Sequence, residues 1–256
     1  MNTRLSRNTN ETLFTQPTFR GLPVMVHRGP LIERYLDKTY QTIESALAQY
    51  PRIFATRFDL ALPEGSEGWA SDVISRFIEY FKADIASYLK VRGMKADACR
   101  PRFIWAKERN RSDNYHYHVL LILNRDVFPR SGCILSDKPN TVGRIESAWA
   151  NALGIPWSQS RGLVHFPKNR DYSVDLNSQE FLPQLVGLFH RTSYLAKEDT
   201  KAFEDGSRHF SCSLRPVLPS GFSLQAKVQE EKDRIEEMVA SGSVYGEVSC
   251  TGGLGK

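Results

Sequence analysis

The stretch Arg102–Leu123, RFIWAKERNRSDNYHYHVLLIL, constrains this chain more than any other. Two runs rich in aromatic and β-branched residues, Arg102–Arg109 and Tyr115–Leu123, flank a polar segment of Asn, Ser and Asp. That pattern reads as a β-hairpin. Side chains alternate across a strand, so His116, His118 and Leu120 share one face. With the hairpin centred on Ser112, Glu108 falls opposite His116, and small Ala106 falls opposite His118. Two imidazoles and a carboxylate then lie together with space beside them, the donor set of a metal site with open positions. A His-x-His pair alone is commonly surface structure; the opposed Glu108 is what points to an ion. A slip of one residue would send Glu108 to the other face.

The rest of the chain supplies elements to cover such a hairpin. Helical spacing of apolar residues predicts helices over 31–47 and 69–92, the second with Val73, Ile74, Phe77, Phe81, Ile85 and Leu89 on its buried stripe. A strand is expected over 52–63, with Ile53, Ala55, Arg57 and Asp59 on one face. Asp59 could reach the metal region, but Arg57 and Asp59 on one face read first as a structural ion pair. Thr141 caps a helix ending at Gly154. A short strand follows at 162–166, where His165 reads as structural. Further elements are a helix over 179–201, a strand near 209–215 and a charged helix over 222–239. The order implies an α+β fold, an antiparallel sheet with helices packed on it. Residues 1–29 read as a polar arm, 30–216 as the folded domain, and 217–256 as a charged helix with a flexible tail.

Composition excludes some classes. No run is long and apolar enough to span a bilayer, and the start, MNTRLSRNTNETLF, lacks the apolar core of a signal peptide, so no membrane partner and a cytoplasmic location are expected. Cys99, Cys133, Cys212 and Cys250 show no CxxC spacing, which argues for free thiols over structural zinc. A net charge of +5 is compatible with a phosphate-rich partner but does not require one.

A second chemical feature lies on the late helix. Residues three and four apart share a helix face, which groups His190, Tyr194, Lys197, Glu198 and Lys201 on a polar stripe. A phenol has a pKa of about 10, and a nearby ammonium favours its ionised form. Lys197 could thus activate Tyr194 as a nucleophile, with a divalent ion on Glu108, His116 and His118 polarising the phosphate under attack. That combination suits cleavage of a phosphodiester by covalent transfer. Lys201, His190 and Arg57 are the candidate DNA contacts.

These residues also carry a resemblance. His116-Tyr117-His118 before Val119-Leu120-Leu121 looks like the His-hydrophobic-His motif of HUH endonucleases, and Tyr194-Leu195-Ala196-Lys197 resembles their Tyr-x-x-Lys nucleophile motif. Glu108 stands where several rolling-circle initiators carry a third metal ligand. The text RFDLALP, WAKER, HYHVLLILN, AWANALG, GLVHFP and SYLAKEDTK is similar to the filamentous-phage (inovirus) gene-2-product-like replication proteins. The resemblance implies a ferredoxin-like or RRM-like HUH architecture, with the His strand at the middle of the sheet and the tyrosine helix beside it. It further implies nicking and rejoining of single-stranded or hairpin origin DNA with Mg²⁺ or Mn²⁺, through a 5′-phosphotyrosine link. Positions 190 and 198 are His and Glu, so the resemblance points to one nucleophile rather than two. No GxxxxGK[ST] motif is present, so unwinding would fall to a host helicase. Two other classes fit parts of the pattern: a DNA-binding prophage protein without catalysis, and a two-His, one-carboxylate oxygenase, which would leave Tyr194 and Lys197 unexplained.

Overall fold

The hairpin forms in the expected register: Arg102–Arg109 pairs antiparallel with Tyr115–Asn124, Glu108 opposite His116 and Ala106 opposite His118. The computed structural model describes residues 4–5, 8–63, 72–109, 115–133, 140–198, 208–213 and 221–241. Among them the main sheet takes β1 (Arg52–Ala61), β2 (Arg102–Arg109), β3 (Tyr115–Asn124), β4 (Val164–His165), β5 (Asp171–Asp175) and β6 (Phe210–Cys212). Five helices of more than a dozen residues surround it: α1 (Glu33–Gln49), α2 (Val73–Val91), α3 (Thr141–Leu153), α4 (Phe181–Ser193) and α5 (Leu224–Ala240). The strand order is β5-β1-β3-β2-β6, with β4 also pairing with β1, all antiparallel. This is the expected α+β fold, with the His-bearing strand β3 at the centre of its sheet.

Both faces of the sheet are covered, which explains why β3 reads as an unbroken apolar run from Val119 to Leu123. Alternate residues feed two cores. On one face Phe54, Phe58, Phe103, Val119 and Leu121 meet α2 and α3, where the Phe77 ring lies 6.0 Å from each of the Phe58, Phe103 and Trp149 rings. On the other face Ile53, Ala55, Ile104, Ala106, Leu120 and Ile122 meet α1 and α4. Asn140, not Thr141, caps α3, its side chain accepting from the Gly143 N–H at 2.9 Å. Gly154 closes that helix with φ 69°.

Four further features depart from the sequence reading or add to it. The segment before residue 30 is not an arm. Asn8–Phe14 pairs with Leu31–Ile32, Thr18–Phe19 pairs with Leu22–Pro23, and Phe19, Leu22 and Val24 are buried in the core over α1 and α4. The Arg34–Glu11 ion pair ties this segment to α1. The charged helix is likewise docked: Leu224 and Val228 are buried, the Leu224 N–H donates to Glu44 at 3.2 Å, and Lys232 donates to the Gly21 carbonyl at 2.7 Å. Strand β5, DYSVD, shows no strand pattern in the sequence because only Val174 among its residues is fully buried. The late helix is the fourth. It stops at Ser193, gives one 3-10 turn over Tyr194–Ala196, and then Lys197 leaves helical geometry (ψ 136°) to bridge Leu31. A helix face running from His190 to Lys201 therefore does not exist, and Lys201 lies outside the described residues. The tail beyond 241 lies outside them as well.

Candidate metal centre

The apolar face of the sheet that carries α1 and α4 gives way to polar side chains at one end. Outward from Ala106, Leu120 and Ala55 come Glu108, His118, His116, Arg57 and Asp59. Small residues stand opposite both histidines, Ala106 across from His118 and Ala61 across from His116, so the imidazoles have room.

The ligand atoms converge. His118 Nε2 lies 3.2 Å from Glu108 Oε2 and 3.1 Å from His116 Nε2. One donor atom from each of Glu108, His116 and His118 lies within 4.8 Å of the other two. Ligands about 2.1 Å from an ion and at right angles to each other sit about 3.0 Å apart. The observed spacings therefore fit three neighbouring corners of one coordination shell, with the remaining corners free. Glu108 is 2% exposed and His118 8%, so an ion held there would be partly shielded from water.

Asp59 completes the arrangement: it keeps the ion pair with Arg57 expected from sequence and also reaches the metal region, the other reading of that residue. Its Oδ1 lies 2.5 Å from His118 Nδ1, whereas Arg57 Nη2 is 3.7 Å away. Asp59 sits directly across from His118 in the β1–β3 register. By accepting the Nδ1 proton it leaves the Nε2 lone pair directed at Glu108 and His116, the usual second-shell device of metal-binding histidines. Burial disfavours the His118 imidazolium, but hydrogen bonds to Asp59 and Glu108 outweigh it and raise the pKa above the ordinary value. Burial would also raise the Asp59 pKa; the hydrogen bond and charge of His118, with Arg57, leave it lowered instead. The signal available in the sequence was the alternation that puts Arg57 and Asp59 on one face of β1. Exposed His165, not enlisted from sequence, stands across from Asp59 on β4.

Tyr194 meets this cluster. Its ring centroid is 5.8 Å from that of His118, at 72° between planes, and Arg57 Cζ is 5.4 Å from the Tyr194 centroid. The cation packed on the phenol ring is thus Arg57. Lys197 follows Tyr194 by one 3-10 turn instead of a continuing α-helix: its N–H donates to the Tyr194 carbonyl at 3.1 Å, and its side chain passes close to Gly29. His190 stacks on His27, with 6.4 Å between centroids.

Comparison with known proteins places the chain. The YagK/YfjJ C-terminal domain matches residues 14–213, which span the sheet, the site and most of the helices. The chain belongs to this family. Two members from Escherichia coli (strain K12) are uncharacterized proteins: YagK, 35% identical over 72% of this chain and 94% of its own length, and YfjJ, 28% identical over 72% and 96%. The YagK/YfjJ match begins within the segment before residue 30, in keeping with its burial in the core. A solved structure, the N-terminal nuclease domain of non-structural protein 1 from minute virus of mice, aligns over 70% of this chain and 79% of that one at 12% identity. Its TM-score is 0.20, a likeness that carries no argument.

Proposed function

We propose that this chain is a metal-dependent endonuclease that nicks and rejoins single-stranded DNA through a covalent link to Tyr194, and that it initiates rolling-circle replication of a phage or prophage-like element. One observation carries the reading: His118 meets Glu108 and His116 through Nε2, while its ring meets the ring of Tyr194 at 5.8 Å. A set of ion ligands in contact with a single phenol suits phosphoryl transfer to that phenol. A divalent ion, Mg²⁺ or Mn²⁺, on Glu108, His116 and His118 would supply a Lewis acid for a phosphate oxygen.

The chain's own residues divide the remaining work. Asp59 holds the proton on His118 Nδ1 and so fixes the ring. Arg57 packs its guanidinium on the Tyr194 ring, its Cζ 5.4 Å from the ring centroid, and so holds the phenol in place. In the transfer, Tyr194 Oη bonds to phosphorus, the bond from phosphorus to the 3′ oxygen breaks, and the phenol proton ends on the released 3′ hydroxyl. One ester replaces another, so rejoining is the same step reversed. The resemblance to inovirus gene-2-product-like proteins supports single-stranded or hairpin origin DNA as substrate, with unwinding left to a host helicase.

Incubation of the full chain with labelled single-stranded DNA and Mn²⁺, followed by a denaturing gel, tests the proposal. A protein–DNA conjugate is expected with Mn²⁺, absent with chelator and absent for Tyr194→Phe. DNA retained without any conjugate would instead favour the non-catalytic DNA-binding reading.

A further inference from the structure

Two arginines near Tyr194 each keep a buried guanidinium nitrogen that the site's carboxylates do not engage. Arg57 is 5% exposed, and its nearest carboxylate, Asp59 at 3.7 Å, is already engaged by His118 at 2.5 Å. The Arg57 Nε is buried with no hydrogen-bond partner, and so is the Arg191 Nε. Arg191 stands in the last turn of α4, three residues before Tyr194, and its charge adds to burial in lowering the Arg57 pKa; Tyr172 of β5 stands across from Ala55, on the face of β1 that carries Arg57. No ion pair to Arg191 forms among the described residues. Arg57 is buried whole and Arg191 in part, and a buried guanidinium nitrogen without a partner is costly unless an anion satisfies it. A guanidinium fork matches the oxygens of a phosphate, and Arg57 already touches the Tyr194 ring.

We propose that Arg57 and Arg191, with Tyr172, form a phosphate subsite that grips one backbone phosphate of the DNA strand running past Tyr194. The choice of DNA as its ligand rests on the nicking proposal; the charge arrangement does not. The subsite acts without metal, because none of its residues is among the three ion ligands. Of the three DNA contacts expected from sequence, it retains Arg57 and adds Arg191 beside it.

The test uses the full chain carrying Tyr194→Phe, in chelator, so that neither covalent capture nor an ion contributes. Binding of fluorescent oligothymidylate is followed by anisotropy across a salt series. Arg191→Gln should weaken binding and flatten the slope of log affinity against log salt by about 0.7, one single-strand phosphate contact. Arg191→Lys, which keeps the charge, should retain the slope. An unchanged slope in Arg191→Gln would overturn the subsite. If Arg191→Gln does not fold, inorganic phosphate on the unsubstituted chain decides: a saturating rise in melting temperature over chloride at equal ionic strength supports the subsite, and a linear or absent rise rejects it. Conjugate formation with Mn²⁺ is scored separately, so either proposal can fail without the other.

Discussion

Asp59→Asn should weaken metal binding although all three proposed ligands remain. Asp59 Oδ1 accepts from His118 Nδ1 at 2.5 Å, a hydrogen bond to a charged group. Such bonds contribute about 1.5–3 kcal/mol, against about 0.5–1.5 kcal/mol for a neutral pair. Asparagine keeps the shape and a carbonyl acceptor, so only the charge is lost, roughly 1–1.5 kcal/mol. At about 1.4 kcal/mol per decade, that is about a tenfold loss of affinity. Asp59→Ala removes the acceptor too and should approach a hundredfold loss, the upper end of roughly 10–100-fold for outer-shell changes. Titration calorimetry with Mn²⁺ on both variants and on the unsubstituted chain measures the series. Circular dichroism checks the fold, since Arg57 also loses its nearest carboxylate. Both variants binding Mn²⁺ within about twofold of the unsubstituted chain would refute the claim that Asp59 orients His118, because the charged hydrogen bond would then count for little.

Further outcomes follow from the same geometry. Ala106→Leu, filling the space across from His118, should abolish Mn²⁺ binding in calorimetry while the far-ultraviolet dichroism stays native. Phe77→Ala, in contact with four aromatic rings and fully buried, should cost about 3–5 kcal/mol in urea unfolding. Cys99 is buried, and burial pushes its thiol up to about 11 despite a hydrogen bond from the Asn124 N–H. At neutral pH iodoacetamide should therefore label exposed Cys133 in the native chain and reach Cys99 only in denaturant, as peptide mass spectrometry would report. A raised folded pKa stabilises below the unfolded value, so this thiol's contribution should be lost as pH rises from about 8.5 towards about 11.

The hairpin was legible in the sequence because its chemistry is local. Alternation fixes the faces, the length of the turn fixes the register, and Glu108, His116 and His118 follow. Tyr194 could be named from its motif, but its approach to His118 depends on packing between α4 and the sheet. For Asp59 sequence adjacency favours the pair with Arg57, which forms at 3.7 Å, whereas the closer partner, His118 at 2.5 Å, lies across a strand pair 59 residues away. The helix was extended past Ser193 because Leu195, Ala196, Lys197 and Glu198 are sound helix formers. Tertiary pairing overrode that propensity: Lys197 bridges Leu31, and the Glu198 N–H donates to the Pro30 carbonyl at 3.2 Å. The same pairing hid the role of the segment before residue 30, which reads as polar but buries Phe19, Leu22 and Val24.

The most direct measurement is peptide mass spectrometry of the chain after reaction with single-stranded DNA and Mn²⁺ and nuclease trimming. A nucleotide phosphate on Tyr194, absent with chelator and in His118→Ala, is the expected result. Cleaved DNA with no modified tyrosine, or the modification on another residue, would contradict the account.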